Sequence, residues 1–325
     1  MNILVTMPLN GAQKQRIEQV APSESYRYCA AAEITDEMLV WPEVILGNLK
    51  AASQVSHAEN LKWIQLNNAG TEGYCEEGLL PNDALLTNAT GAYGLAISEH
   101  MIGCLFELRK KLHLYRDNQR VCTWKSEGHV GVIEGSTVLS VGMGDIGCSF
   151  LRRMKALGCH TIGVKRTVSE RPEYVDELMT IDELDQVLPI ADVVALSMPG
   201  NAETYHTIDA KRLEMLKPNA VLINVGRGGA IDTEALTRCL YEERIAGAAL
   251  DVTDPEPLPS EHPLWKAPNA IITPHISGGY ALPETLEQIV DICAENLRHY
   301  MQGEPLRNEI DRKTGYAKKY MNEMK

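Results

Sequence analysis

Positive charge, long apolar runs and paired cysteines are all scarce in this sequence. With 31 Lys and Arg against 44 Asp and Glu, the formal net charge is −13. This balance argues against nucleic acid as a main partner, because phosphate binding needs clustered Lys and Arg. No apolar stretch approaches the roughly 18 residues of a membrane-spanning helix. The eight cysteines include no CxxC pair, which argues against a disulfide framework and against a zinc site. We therefore expect a cytoplasmic protein with no metal, membrane or nucleic acid as partner.

Length and composition indicate a globular protein of two domains. Hydrophobic residues make up 44% of the 325 residues and charged residues 23%, which is typical of folded chains and not of disordered ones. A chain of this length buries enough surface for two hydrophobic cores, since domains of about 150 residues are common.

Short apolar runs alternate with amphipathic segments along the chain, which is the pattern of β-α-β units and a largely parallel sheet. The first series of strands is expected at residues 2–7, 44–47, 63–66 and 84–87, and one long helix at residues 93–118. A second series of six strands is expected at residues 137–141, 161–164, 193–197, 220–225, 246–251 and 270–273. A final helix is expected at about residues 282–301. Six strands with crossover helices predict a doubly wound sheet.

A glycine motif follows the first strand of the second series. Gly142, Gly144 and Gly147 form the pattern GxGxxG between an apolar run and a predicted helix. The first glycine allows a tight turn, the second lets a dinucleotide pyrophosphate approach the backbone, and the third lets the helix pack closely on the strand. The N–H groups at the helix start attract phosphate. Because strand, motif and helix occur in the required order, the sequence predicts a dinucleotide site.

The end of the next strand indicates which dinucleotide is bound. NAD sites carry an Asp or Glu about 20 residues past the glycine motif, where it binds the ribose hydroxyls. This chain has Lys165 and Arg166 there, which offer positive charge to a 2′-phosphate. The alternative is that both side chains are solvated turn residues. We predict NADP as the preferred cofactor, with NAD as the alternative.

Three further segments stand at expected strand ends, where ligands bind in open α/β sheets. They contain Arg227, Glu256 and His275. An arginine can bind a substrate carboxylate and polarise the neighbouring carbonyl, while a histidine donates a proton to the carbonyl oxygen. A carboxylate on the other imidazole nitrogen fixes the tautomer. Asp254 is the alternative carboxylate, but the spacing from Asp251 favours Glu256. Beside a nicotinamide, this set is suited to carbonyl reduction.

With these segments the chain resembles the D-isomer-specific 2-hydroxyacid dehydrogenases, a family that includes glyoxylate/hydroxypyruvate reductases, D-lactate dehydrogenases and 3-phosphoglycerate dehydrogenases. The resemblance covers most of the chain and includes residues 68–70, 87–89 and 98–100. It implies that Arg227 binds the substrate, that His275 is the acid/base and that Glu256 orients it. It also implies that backbone amides of a substrate loop, Asn68, Ala69 and Gly70, hold the substrate carboxylate.

The same resemblance implies which residues line the cofactor. Asp251 matches an acid that contacts the nicotinamide carboxamide in family members. The other residues implied to line the cofactor, besides the glycines, are Asp145, Ile146, Met198, Pro199, Thr204, Val225 and Gly226.

The expected fold is α/β and two-lobed. A Rossmann doubly wound parallel sheet, residues 99–282, is inserted into a smaller flavodoxin-like α/β substrate domain made of residues 1–98 and 283–325. The active site is expected in the cleft between the lobes. A homodimer formed through the long bridging helix is a family expectation. His100, in that helix, is expected to contribute to interdomain or subunit packing and not to proton transfer.

Several positions depart from the family pattern. Ser197 stands where many NAD-using relatives have His, which fits the NADP prediction. Gly226 replaces the more usual Ala or Ser before the arginine. Thr71 and Glu72 differ from the residues that often follow the substrate loop, which leaves the shape of the substrate mouth open. Glu256, where a formate-oxidising relative would have Gln, favours a 2-oxo/2-hydroxy acid pair.

The leading hypothesis is stereospecific, NADPH-dependent reduction of a small 2-oxo acid to the D-2-hydroxy acid. The alternative is a dinucleotide-responsive binding protein, like the transcriptional corepressors that share this scaffold. Such a protein needs a partner surface, and the sequence contains no partner-binding motif, whereas its catalytic set is complete. Which 2-oxo acid is used does not follow from the sequence.

Overall fold

The computed structural model describes residues 1–71, 73–167, 170–280, 282–313 and 315–318. Glu72 and the last residues of the predicted substrate domain, 319–325, lie outside them. The chain divides into two compact units, Met1–Tyr93 with Leu282–Lys325, and Gly94–Ala281. The division falls after residue 93 and not after residue 98, because the helix that opens the second unit begins at Gly94. The assignment of these units to substrate and dinucleotide binding stays a prediction.

The first unit is built on a parallel sheet with the strand order β2-β1-β3-β4-β5. Its N-terminal elements are β1 (Asn2–Val5), α1 (Gly11–Glu18), β2 (Ser25–Tyr28), β3 (Val44–Leu46), β4 (Trp63–Gln65) and β5 (Leu85–Thr87). This order is flavodoxin-like, as expected. The sheet contributes Ile45, Ile64 and Leu86 to one hydrophobic core, where each is at most 1% exposed.

The second unit contains two helices before its sheet, and an α-helix stands between most of the consecutive strands that follow. The elements are α2 (Gly94–Arg109), α3 (Leu112–Arg120), β6 (Thr137–Val141), α4 (Asp145–Ala156), β7 (His160–Lys165), β8 (Glu177–Thr180), α5 (Leu184–Val187), β9 (Val193–Leu196), α6 (Ala210–Glu214), β10 (Val221–Asn224), α7 (Thr233–Tyr241), β11 (Gly247–Leu250) and β12 (Ala270–Ile272).

The sheet of the second unit is parallel throughout its described residues, with the order β12-β11-β10-β9-β6-β7-β8. All residues of β9, β10 and β11 are buried, which explains why their sequences are apolar except for Asn224 at the end of β10. Because the strands are parallel, all of them end at one edge, which we call the carboxyl edge, and begin at the opposite amino edge. The order is that of the Rossmann fold extended by one strand, so the expected fold class is confirmed.

Two strands of the parallel sheets, β2 and β8, have no counterpart among the predicted ones. Each is one of the two outer strands of its sheet. The residues of β2 alternate between exposed and half-buried, and none of the residues of β8 is buried. Edge strands of this kind have no apolar run, so the second sheet has one strand more than the six expected.

The prediction of one long helix at residues 93–118 is wrong, because this part of the chain forms two helices. α2 ends at Arg109 and α3 begins at Leu112. Lys111 has a left-handed backbone, with φ of 57°. Lys110 and Lys111 each donate from Nζ to a carbonyl of the following segment, that of Gly131 and that of Glu127. These contacts offset the roughly 1–2 kcal/mol that a left-handed residue costs.

The chain then returns to the first unit through α8 (Pro283–Gln302), followed by β13 (Ile310–Asp311) and β14 (Tyr316–Ala317). Gln13 on α1 donates from Nε2 to Glu287 on α8 over 2.7 Å. The same carboxylate pairs with Arg16. These contacts attach the C-terminal helix to the first helix of the unit.

Candidate active site

The glycine motif forms the turn between β6 and α4. Gly142 has φ of 104°, a conformation that favours glycine. A Cβ atom on Gly147 would lie 2.0 Å from the carbonyl oxygen of Gly142, so only glycine allows α4 to approach the strand this closely. Gly144 is the N-cap of α4, and a Cβ there would meet nothing within 4 Å. The space beside the helix N-terminus is therefore open, as a pyrophosphate requires.

The first residue of α4 faces another helix start. Asp145 accepts a hydrogen bond through Oδ2 from the backbone N–H of Gly94 at 2.7 Å, where α2 begins. A carboxylate at a helix N-terminus is stabilised by the partial positive charge there. The predicted cofactor residue Asp145 thus ties α2 to the glycine turn, and Ile146, the next residue, is half-buried.

Two loops flank the glycine turn at the carboxyl edge, because β7 and β9 are the neighbours of β6. Lys165 ends β7 and Arg166 follows it. The Arg166 side chain is exposed, and its Nη1 lies 3.8 Å from Oε2 of Glu203. After β9, Met198 is buried, and Thr204 donates through Oγ1 to the carbonyl of Pro199 at 2.8 Å. Both loops therefore lie beside the glycine turn, and their contacts with a cofactor stay a prediction.

Asn224, the last residue of β10, shapes the segment that carries Arg227. Its Oδ1 accepts from the N–H of Gly226 at 3.1 Å, and its Nδ2 donates to the carbonyl of Arg227 at 2.9 Å. Val225 and Gly226 are buried. A Cβ on Gly226 would lie 2.6 Å from the carbonyl oxygen of Met198, which explains the glycine at this position. The loop is thus held firmly while the Arg227 side chain stays half-buried.

His275 and Glu256 meet at the carboxyl edge. His275 Nδ1 lies 2.6 Å from Glu256 Oε1, and the two side chains are 50% and 41% exposed. Glu256 and not Asp254 thus makes the contact. Because Nδ1 faces the carboxylate, Nε2 is the nitrogen that can face a substrate. His275 has φ of 53°, and its N–H donates to the carbonyl of Asp251 at 2.9 Å.

Asp251 holds the loop that carries His275. Its side chain is buried, and its carboxylate accepts from the hydroxyl of Thr273 and the N–H of Ile276 at Oδ1, and from the N–H and hydroxyl of Ser277 at Oδ2. Burial alone would raise the pKa of Asp251, but these hydrogen bonds outweigh it and lower the pKa. Four donors occupy the acceptor positions of the carboxylate. Its predicted contact with the nicotinamide stays a prediction.

The predicted substrate loop belongs to the first unit, beyond the end of β4. The carbonyl of Asn68 accepts from the N–H of Ala89 at 2.9 Å, and Asn88 donates through Nδ2 to the carbonyl of Ala69 at 2.7 Å. Asn68 Oδ1 is buried, and no hydrogen-bond partner for it occurs within the described chain. Two carbonyls are thus engaged, which fixes the loop before Gly70. Its contact with a substrate stays a prediction.

His100, on α2, makes two side-chain contacts within the second unit. Its Nε2 lies 3.3 Å from Thr273 Oγ1 and 3.6 Å from Cys104 Sγ, all within the second unit. His100 therefore contacts the loop of His275. Its expected contribution to packing between domains or subunits stays a prediction. Its i, i+4 spacing to Cys104 was visible in the sequence, but the contact with Thr273 joins residues 173 positions apart.

A parallel sheet with a glycine turn after its first strand, and an arginine, a carboxylate and a histidine at its carboxyl edge, defines a dinucleotide-binding α/β protein. The chain belongs to the D-isomer specific 2-hydroxyacid dehydrogenase family: residues 102–277 match the NAD binding domain of that family. The resemblance stated from the sequence is thereby confirmed. So is the prediction that the chain is an NAD(P)-dependent D-2-hydroxyacid dehydrogenase.

Known relatives agree with this family. A glyoxylate reductase of Thermofilum pendens is 31% identical over 258 residues, which are 78% of this chain and 76% of the relative. A D-isomer specific 2-hydroxyacid dehydrogenase family protein from Aeromonas salmonicida superposes with a TM-score of 0.84 at 30% identity, covering 96% of this chain and 99% of the other. A D-isomer specific 2-hydroxyacid dehydrogenase from Xanthobacter autotrophicus Py2, in complex with NADPH and MES, gives a TM-score of 0.81 at 25% identity, covering 97% and 99%.

Two features of the described residues bear on membranes and metals. No helix there has the length and apolar character needed to cross a bilayer. No group of three or more His, Cys, Asp or Glu side chains there is arranged to hold a metal ion. The predicted cytoplasmic location stays a prediction.

Proposed function

We propose that this protein reduces a small 2-oxo acid to the D-2-hydroxy acid with NADPH. The observation that carries the proposal is the 2.6 Å contact between His275 Nδ1 and Glu256 Oε1 at the carboxyl edge of the sheet that also bears the glycine turn. Ligands of open α/β sheets bind at that edge, so a carboxylate-backed imidazole there is placed for proton transfer to a bound substrate.

Three side chains divide the chemistry. The guanidinium of Arg227 binds the substrate carboxylate with two parallel hydrogen bonds and polarises the adjacent carbonyl. His275 donates the Nε2 proton to the carbonyl oxygen, and it accepts that proton in the reverse direction. Glu256 at Nδ1 fixes the tautomer and stabilises the imidazolium. The nicotinamide, when bound, supplies the hydride. Backbone N–H groups of residues 68–70 are proposed to bind the substrate carboxylate.

The glycine turn, with Gly142, Gly144 and Gly147, is proposed to hold the pyrophosphate, since the open space at Gly144 and the N-terminus of α4 fit that group. Lys165 and Arg166 at the end of β7 support a preference for the 2′-phosphate of NADPH. A relative at 25% identity has been crystallised with NADPH. Arg166→Asp should lower the NADPH/NADH ratio of kcat/KM by about tenfold or more, because it replaces attraction by repulsion. An unchanged NADPH/NADH ratio would show that Arg166 does not contribute to binding the 2′-phosphate.

A spectrophotometric assay of nicotinamide oxidation tests the reaction. Glyoxylate, pyruvate, hydroxypyruvate and longer 2-oxo acids are each offered with NADPH and with NADH. For the acid that is reduced fastest among those with a chiral product, the configuration of the product is determined. We expect turnover with at least one small 2-oxo acid, faster with NADPH, and a D product. No oxidation with any acid, together with tight dinucleotide binding, would favour the binding-protein alternative.

We also propose that the protein forms a homodimer. Apolar side chains are exposed on α3 and the segment after it, and Trp124 is fully exposed; the others are Leu112, Val121, Val130 and Val132. Clusters of exposed apolar residues mark association sites. This exposed apolar surface, which we propose as the dimer interface, lies on α3 and the segment after it more than on α2. Light scattering of the wild type should give the mass of two chains, and Trp124→Glu should shift it toward one. A monomeric wild type would contradict the dimer.

A further inference from the structure

We infer that His100 is a positioning residue for the reaction, acting through the hydroxyl of Thr273 and the carboxylate of Asp251 on the loop that holds His275. This inference rests on the proposed function of His275. It concerns three groups within one unit: a histidine on α2, a hydroxyl just after β12, and a buried carboxylate just after β11.

The loop of His275 depends on a single carboxylate. Besides the N–H of His275 bonded to the carbonyl of Asp251, the N–H groups of Ile276 and Ser277 donate to its side chain at 3.0 and 3.1 Å. His275 itself has a left-handed backbone, which a histidine adopts only when its surroundings fix it. Any rotation of the Asp251 side chain would therefore move the backbone of residues 276 and 277, which directly follow His275.

Proton counting fixes the direction of the next hydrogen bond. Thr273 has one hydroxyl proton, and it donates that proton to Asp251 Oδ1 over 2.6 Å. The oxygen of Thr273 must therefore accept in its contact with His100, whose Nε2 lies 3.3 Å away. His100 Nε2 thus carries a hydrogen and donates it.

The sulfur beside His100 agrees with this direction. Cys104 Sγ lies 3.6 Å from the same Nε2, one turn farther along α2. Burial, reinforced by the charges of Glu107 and Asp251, raises the pKa of Cys104 to about 11, so it is a neutral thiol at physiological pH. A neutral sulfur next to an N–H is a weak acceptor and leaves Thr273 as the stronger one.

The resulting chain joins α2 to the reacting loop. The N–H of His100 orients the Thr273 hydroxyl toward Asp251, and Asp251 fixes the loop. Without that donor the hydroxyl is free to rotate, and the Asp251 carboxylate loses one of its four fixed donors. Misplacement of an acid/base by about 1 Å can lower turnover by up to about a hundredfold. His100 thereby acts on the rate without contacting substrate or cofactor.

Paired substitutions test this chain of contacts. His100→Ala removes the donor, whereas His100→Gln keeps an N–H near the Nε2 position. Thr273→Val removes the hydroxyl at nearly constant volume, and Thr273→Ser keeps it. His113→Ala is the matched control. His113 lies on α3, and its Nε2 is 3.1 Å from Oδ1 of Asn269, the residue immediately before β12. The control therefore disturbs the opposite end of the same strand.

We expect His100→Ala and Thr273→Val each to lower kcat by about tenfold, with His100→Gln and Thr273→Ser within about threefold of wild type. His113→Ala should keep the wild-type kcat within about twofold. The double variant His100→Ala/Thr273→Val should be no slower than the slower single variant, because both remove the same contact. Fully multiplicative losses in the double variant would overturn the inference.

Hydrogen exchange gives a readout that needs no turnover. The amides of His275, Ile276 and Ser277 should exchange about tenfold faster in His100→Ala than in His113→Ala. Equal exchange and equal kcat in these two variants would overturn the inference. His275→Ala, measured alongside, separates the two claims. If the His100 result is negative and His275→Ala abolishes turnover, only the role of His100 is contradicted. If His275→Ala turns over normally, the proposed function itself is contradicted.

Discussion

Two histidine–carboxylate pairs of the second unit have almost the same contact at opposite edges of one sheet. His275 Nδ1 lies 2.6 Å from Glu256, with side chains 50% and 41% exposed. His160 Nε2 lies 2.7 Å from Glu177, with side chains 42% and 49% exposed. His160 and Glu177 are the first residues of β7 and β8, on the amino edge. Distance and exposure therefore do not distinguish a reacting pair from a surface ion pair.

The surroundings of the two imidazoles do distinguish them. His160 has a carboxylate near each nitrogen, since its Nδ1 lies 3.5 Å from Asp176 and its Nε2 faces Glu177. It also lies in regular register opposite Thr137. Among the described residues His275 has a side-chain partner at Nδ1 only, and it has a left-handed backbone and a loop anchored on Asp251. At the carboxyl edge the described chain thus fixes the imidazole through one nitrogen, whereas at the amino edge both nitrogens of His160 lie near carboxylates of the protein.

Substitutions of the two histidines, His275 and His160, are expected to differ most in their effect on turnover. His275→Ala should lower kcat for the 2-oxo acid that the wild type reduces fastest by about 10²- to 10⁴-fold, because it removes the proton donor, while the Kd for NADPH changes little. His160→Ala should leave kcat within about twofold of wild type. Steady-state kinetics and fluorescence titration of NADPH measure both. Equal losses in the two variants would remove the distinction between the edges.

Substitutions of the two carboxylates, Glu256 and Glu177, are expected to have the next largest difference in effect. Glu256→Gln keeps the size of the side chain but removes the charge that stabilises the imidazolium, so kcat should fall by about 10- to 100-fold, moderated by solvent screening. Glu177→Gln should have no measurable effect on kcat. Turnover by the two variants in parallel gives the comparison, and a wild-type rate for Glu256→Gln would show that His275 works without its partner.

The smallest effect is expected for stability at the amino edge. The Lys155 ammonium, together with hydrogen bonds from Thr161, lowers the pKa of Asp176 to about 2. Since the carboxylate is favoured in the folded state, its contribution is present above the ordinary pKa near 4 and is lost as the pH falls toward 2. Asp176→Asn should lower Tm at pH 7 by up to about 3 °C, with the difference shrinking below pH 4. Thermal melts across this range measure it, and a constant difference at every pH would contradict the assignment.

The parts of the fold that the sequence predicted are those set by burial and by glycine sterics. β9, β10 and β11 are buried throughout, and Gly142 and Gly147 are required by a backbone angle and a close approach. Such constraints act on the residues themselves, so they appear as apolar runs and as a spaced motif. The order of Arg227, Glu256 and His275 at successive strand ends follows from the same alternation.

What the sequence did not predict depends on contacts between distant residues. The outer strands β2 and β8 have too few buried positions for a pattern. The break between α2 and α3 depends on lysine contacts with carbonyls 16 and 21 residues away, with no Gly or Pro at the break. The place of His100 depends on Thr273.

A single-turnover experiment tests the central claim most directly, because it isolates the chemical step from product release. Enzyme saturated with NADPH is mixed with the 2-oxo acid that the wild type reduces fastest, and nicotinamide absorbance is followed in the wild type, His275→Ala and His160→Ala. We predict that His160→Ala matches the wild type and that His275→Ala, still loaded with NADPH, is slower by at least about a hundredfold. A wild-type rate in His275→Ala would contradict the account.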